Sequence, residues 1–292
     1  MSAPLPPINH HWISVRNHHR SFADFAFVYP VISRRSRGLS LGINLNPNKR
    51  CNFACIYCEV DRFTPGKAGE INVPQMRAEL TALIRLAKSG ELGRQPKFLE
   101  AAELTRDIRD LAFSGDGEPT MIHNFAECVQ AVADIKRAEA LDPTSIVLIT
   151  DAAGLDKTDV KRGLEIMDAN QGEIWGKLDA GTEAYYRQVN RSFIRFDRIL
   201  SNLLETARVR PIVIQTLLLK VRQEIMPPGE LTAYCQRLID LVRQGGQIKE
   251  IHAYTVARPT PETYATRLEP QALHALAEQI RQATGLKVSE FA

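Results

Sequence analysis

Residues 39–58 read LSLGINLNPNKRCNFACIYC. Their first half alternates, with Leu39, Leu41, Ile43 and Leu45 on one face of an extended chain and Ser40, Gly42, Asn44 and Asn46 on the other. Period-two alternation predicts a β-strand over 39–46, one side apolar and the other polar. Directly after it stand Cys51, Cys55 and Cys58 in C-x3-C-x2-C spacing. Three thiols within eight positions do not make a disulfide framework, and in a reducing compartment such a run binds metal.

Outward from this strand, apolar runs at 109–114, 145–150, 172–179, 211–221 and 248–256 read as five further strands. Helical periodicity occupies 75–89, 124–140, 157–169, 196–208, 230–243 and 270–283. In the last of these Leu273, Leu276, Ala277 and Ile280 share a face, while Glu278, Arg281 and Gln282 lie off it. Strands that alternate with helices pair in parallel through right-handed crossovers. Six such units predict an α/β fold, a partial (β/α)6 barrel of parallel strands with outer helices, whose site lies at the C-terminal strand ends. Residues 59–73 and 257–262 read as loops. No linker divides the chain, which is read as a basic N-terminal arm (1–38) preceding one barrel domain (39–292).

A chain of 292 residues, 44% hydrophobic and 24% charged, excludes a disordered, collagen-like or coiled-coil protein. No apolar run approaches the ~18 residues of a membrane span, and Pro4, Pro6, Pro7, His10 and His11 do not have the layout of a signal peptide. The expectation is a cytoplasmic protein with no membrane partner. Charge is unevenly spread. Arg16, Arg20, Arg34, Arg35, Arg37, Lys49 and Arg50 face Asp24 alone in the first fifty residues, which therefore carry +6 of a total of +3 and leave −3 for the rest. Such a basic segment suits phosphate contacts or the docking of an acidic protein.

A cube of four irons held by three thiolates leaves one iron open to an exogenous ligand, and an open iron implies catalysis. Structural zinc is the alternative, but it needs a fourth ligand, and no Cys or His follows within sixty residues. His18 and His19 stand upstream. After the second strand comes Ser114-Gly115-Asp116-Gly117-Glu118-Pro119-Thr120. Its glycines let backbone approach a ligand and its carboxylate can meet an ammonium, although an ordinary βα turn has the same composition. Thr150 and Asp151 end the third strand. Trp175, Lys177 and Asp179 share a face of the fourth, where the two charges need each other, a ligand or solvent. Cys128 and Cys235 fall inside helices, as small core residues do.

The C-x3-C-x2-C run with Tyr57 before its last Cys, at the top of the first strand of a six-unit barrel, resembles the radical S-adenosylmethionine (radical SAM) superfamily. Tyr29-Pro30-Val31-Ile32-Ser33-Arg34-Arg35, Ser40-Leu41-Gly42-Ile43-Asn44 and Pro47-x-Lys49 resemble the segment before the cluster in iron–sulfur oxidoreductases related to tRNA wyosine synthases. The likeness runs from about Tyr29 to Glu262. It implies that Cys51, Cys55 and Cys58 hold a [4Fe-4S] cluster whose open iron chelates SAM. Reduction would then cleave SAM to methionine and a 5′-deoxyadenosyl radical that attacks a substrate. By the same resemblance Tyr57 lies near the adenine and Gly115, Asp116, Gly117, Glu118 and Pro119 grip the amino group. Thr150, Lys177 and Asp179 touch SAM elsewhere, and Asn190-Arg191 and Thr255 to Pro259 with Glu262 line the far end. Flavodoxin or ferredoxin would supply electrons. RNA is a candidate partner, and an RNA-binding or tRNA-modifying protein with a structural metal is the competing reading. One departure stands out: no cysteine precedes Cys51, so a second cubane lacks ligands.

Overall fold

The computed structural model describes Phe22, residues 24–60, Gly66 and residues 71–292. Arg16, Arg20, both histidine pairs and most of the 59–73 loop lie outside the described residues. The ten described strands are β1 (Val28–Ser33), β2 (Gly38–Ile43), β3 (Ile108–Phe113), β4 (Ser145–Thr150), β5 (Gly172–Lys177), β6 (Ile212–Leu217), β7 (Leu219–Val221), β8 (Ile248–Tyr254), β9 (Ala265–Arg267) and β10 (Val288–Phe291). Eight form one sheet in the order β1-β2-β3-β4-β5-β6-β8-β10, while β7 and β9 pair separately. Every junction of the large sheet is parallel except β1 with β2. The sheet curls into a half barrel with helices outside it, the partial barrel that the strand–helix alternation predicted.

The helices are α1 (Val73–Ser89), α2 (Phe125–Ala138), α3 (Thr158–Asp168), α4 (Glu183–Asn190), α5 (Phe196–Val209), α6 (Pro228–Arg243) and α7 (Pro270–Thr284). Local chemistry sets their ends. At α1 the Asn72 side chain accepts from Gln75 N at 3.0 Å, Pro74 occupies the first turn, and Gly90 closes the helix at φ +78°. Leu39, Leu41 and Ile43 are buried in the core between sheet and helices. On the inner face Ala112, Val147, Trp175 and Val213 make a separate apolar floor. Above it the register aligns Lys177 with Gln215, Gln215 with His252, and His252 with Ser289, a polar row across the lumen.

The structure departs from the sequence reading in three places. Val28–Ser33, assigned to the basic arm, is a strand of the barrel sheet, so the boundary at residue 38 falls inside a hairpin. Pro30 is tolerated in this strand because β1 is the sheet's edge, where a missing N–H costs little. The strand read over 39–46 ends at Ile43, because the Asn44 side chain accepts from Asn46 N at 3.0 Å and turns the chain. The run 211–221 is two strands, broken at Leu218, whose N–H turns to Tyr254 O. β10 and α4 are too short to stand out as periodic segments.

The connection after β5 is fixed by Glu230 of α6, which accepts from Thr182 N at 3.0 Å and from Thr182 Oγ1 at 2.6 Å. Gly181 packs so closely that a Cβ there would lie 2.0 Å from Tyr234 N and 2.4 Å from the Ala233 carbonyl carbon. Gly181→Ala should destabilise the protein by about 1–3 kcal/mol through overpacking, read as a lowered Tm. An unchanged Tm would mean that α6 retreats without loss.

Candidate active site

At the C-terminal ends of the central strands lies a cavity of about 420 Å³, lined by Cys51, Cys55 and Cys58. The cysteine loop has little regular structure of its own and is held from two sides. Ala54 N donates to Asn190 O at 3.0 Å and Ile56 N to Val189 O at 2.9 Å, tying it to the last turn of α4. On the other side Glu118 N donates to Arg50 O at 2.9 Å. There a Cβ on Gly117 would fall 1.9 Å from Arg50 O, and one on Gly115 would fall 2.2 Å from Asn44 Oδ1. Both glycines line the cavity, yet what forbids their side chains is the approach of this chain's own segments.

The thiols sit among protein donors. Phe53 N donates to Cys51 Sγ at 3.5 Å and Asn190 Nδ2 to Cys55 Sγ at 3.4 Å. Burial pushes the Cys51 thiol well up, helped by the Asp151 and Glu118 carboxyls. Burial likewise takes Cys55 to about 12, against the pull of the Lys177 ammonium. Three thiols lining one cavity, two of them accepting N–H bonds, suit thiolates whose protons are displaced by iron. Among the described residues no group of three or more His, Cys, Asp or Glu side chains is arranged to hold a single metal ion. Cys128 and Cys235 are buried in α2 and α6.

Glu118 lines the cavity, but four protein donors occupy its carboxylate. Oε1 accepts from Thr120 N at 3.0 Å and from the Thr120 and Thr150 hydroxyls at 2.6 Å, and Oε2 accepts from Asp151 N at 2.7 Å. It is thus a bracket between the β3 turn and the end of β4. Asp151 beside it is buried, and burial together with the Glu118 charge holds its carboxyl well above the usual range. Asp116 bonds Asn44 Nδ2 at 2.8 Å, and Pro119 opens a 3₁₀ turn. Neither lines the cavity.

Asp179 is also absent from the cavity wall. Its Oδ1 accepts from Leu217 N at 2.8 Å, and its Oδ2 accepts from Asn190 Nδ2 at 2.7 Å and from the Tyr57 hydroxyl. Lys177 does line the cavity, 3.7 Å from Asp179 and donating to the Tyr254 hydroxyl at 2.8 Å. Burial alone would lower the Lys177 pKa, but Asp179 outweighs it and keeps the ammonium charged. Of the residues singled out in the sequence, Cys51, Cys55, Tyr57, Cys58, Gly115, Gly117, Glu118, Thr150 and Lys177 line this cavity, whereas Asp116, Pro119 and Asp179 lie behind it. The sequence reading gave Asn44 no role. The signal for it was present, since Ser40, Gly42 and Asn44 share the polar face of the founding strand.

No protein-family model matches the chain. The chain is 28% identical over 182 residues to a "GTPase Obg" of Brachyspira hyodysenteriae, a match covering 62% of this chain and 23% of that protein. It is 30% identical over 177 residues to a "UPF0026 protein" of Methanocaldococcus jannaschii, covering 60% and 46%. The matches thus span less than half the length of these curated relatives. TYW1 with a lysine–pyruvate adduct bound superposes with a TM-score of 0.52 at 18% identity, covering 85% of this chain and 74% of that one. SuiB of Streptococcus suis bound to S-adenosylmethionine superposes at 0.50 and 12% identity, covering 88% and 48%. The chain therefore shares its fold with these two proteins. The resemblance read from the cysteine run and its flanks holds at the level of architecture. Among the described residues no helix is long and apolar enough to cross a membrane.

Asp179→Ala should cost about 3–5 kcal/mol, because it strands a buried ammonium and three further donors. Replacing Lys177 and Asp179 together by Met and Leu should cost less. A denaturant titration of the three proteins checks both statements.

Proposed function

We propose that the protein is a cytosolic radical SAM enzyme with one [4Fe-4S] cluster, held by Cys51, Cys55 and Cys58. The observation that carries this reading is that all three thiols line one cavity, with N–H donors aimed at two of the sulfurs. When bound and reduced, the cluster would supply the electron that cleaves SAM to methionine and a 5′-deoxyadenosyl radical. The chain's own residues bind and position. The buried acidic wall of Glu118 and Asp151 beside Cys51 suits the cationic end of SAM, while Tyr57, Thr150 and Lys177 border the remaining space. Ala112 and Trp175, from the apolar floor, give the cavity a low-dielectric base that strengthens its polar contacts. Flavodoxin or ferredoxin is the proposed electron donor, and three reduced thiols suit a reducing compartment.

Anaerobically reconstituted protein should bind about four irons and release 5′-deoxyadenosine from SAM under dithionite. Replacing Cys51, Cys55 or Cys58 by Ala should abolish that release, and replacing Cys128 or Cys235 should leave iron content unchanged. Stoichiometric zinc without iron uptake would overturn the reading.

Glu118→Ala should weaken SAM binding about tenfold or more while iron content persists. Because it also frees four buried donors, Tm should fall with it. Calorimetric titration with SAM alongside thermal melts separates the two effects, and unchanged SAM affinity would move the ligand away from this wall.

A further inference from the structure

One wall of the cavity carries more positive charge than its neighbours answer. Arg34 and Arg35 come from the β1–β2 turn, Lys97 from the 3₁₀ segment before β3, and Arg258 from the loop after β8. Residues far apart in sequence thus bring four cations to one cavity. Among the described residues Glu59 is the side-chain carboxylate in ion-pair contact with the group, through Arg258, and Asp110 lines the same cavity near Arg35. Arg34 bonds a terminal oxygen of Ala292, and Lys97 sits 5.5 Å over the Phe98 ring. Arg35 turns inward, its guanidinium 5.2 Å from the Tyr254 ring and 5.5 Å from that of Trp175, with buried Asp110 deeper in the lumen. Arg258 Nε is buried without a hydrogen-bond partner.

The electrostatics mark the group as under-compensated. Burial and the charges of Arg35, Arg258 and Arg267 lower the Arg34 pKa, with only Glu59 opposing them. Burial and Arg258 lower that of Lys97. Like charges gathered in a half-buried site are stable only with a counter-anion. Planar guanidinium forks beside an ammonium match the oxygens of a phosphate.

We propose that Arg34, Arg35, Lys97 and Arg258 form a phosphate-binding wall, so that the substrate of this cavity is a phosphorylated compound. Four cations set against the two carboxylates within reach, Glu59 and Asp110, leave a positive excess of two, which exceeds what the single carboxylate of SAM answers. The acidic wall of Glu118 and Asp151 lies by Cys51, whereas this wall lies by Glu59, next to Cys58, so one cavity offers opposite charges to two ligands. The phosphate can belong to a free nucleotide or to the backbone of an RNA. The inference rests on the radical SAM reading for what happens to the substrate, but not for its binding.

The test uses full-length, iron-loaded protein saturated with SAM, titrated calorimetrically with inorganic pyrophosphate, AMP, a 12-nucleotide RNA and polyglutamate. Phosphate probes should bind, and Arg34→Gln with Lys97→Gln should weaken them about tenfold or more, with iron content unchanged. Binding of AMP and pyrophosphate identifies a small substrate. Binding of RNA alone, falling steeply with salt, identifies a phosphodiester backbone. Should the double variant fold poorly, Lys97→Glu at the exposed rim reads the same effect. The proposal is overturned if no phosphate probe binds, if polyglutamate binds as tightly, if both variants bind unchanged, or if they lose SAM affinity instead. Loss of iron loading would sink the radical SAM reading, which separates the two failures.

Discussion

A single buried carboxylate, that of Asp179, joins four elements around the cavity. It takes hydrogen bonds from Leu217 at the end of β6, from Asn190 at the end of α4 and from Tyr57 in the cysteine loop, and it faces the Lys177 ammonium of β5. Buried charge is tolerated only when every lone pair is used, and here each partner comes from a different stretch of chain. Asn190 then passes the constraint to Cys55, whose sulfur accepts from the same amide nitrogen. The position of at least one thiol thus depends on an anion that never touches the cavity.

Glu118 plays the matching part on the opposite flank. Its four acceptor contacts draw the β3 turn against the end of β4, and its own N–H grips the Arg50 carbonyl at the entrance of the cysteine loop. Two satisfied carboxylates therefore hold a loop that has little regular structure of its own. Hydrogen-bonded acids of this kind give definition rather than net stability, since their desolvation offsets much of the attraction.

The cavity is electrically divided. The acidic residues Glu118 and Asp151 stand near Cys51, and the basic residues Arg34, Arg35, Lys97 and Arg258 gather around Glu59. A low-dielectric cleft strengthens both fields, so a ligand with a cationic end and another with an anionic end would each find one orientation favoured. Read along the chain, Arg34 and Arg35 belonged to a basic arm suited to phosphate contacts or to the docking of an acidic protein. The antiparallel pairing of β1 turns them into the wall of a cavity.

Sequence alone determined the features that are local. The alternation of Leu39 to Asn46 placed the founding strand, the spacing of Cys51, Cys55 and Cys58 placed three thiols at its end, and strand–helix alternation gave the parallel half barrel. Each depends on neighbours a few positions apart, where backbone period and side-chain type suffice. The tertiary structure alone decided which functional side chains face the cavity and which serve behind it. Glu118 meets Thr150 across thirty-two positions, Tyr57 meets Asp179 across 122, and Arg258 meets Glu59 across 199. Such contacts follow from sheet register and the curl of the barrel, which set distances between strands, and no local pattern within one strand encodes them.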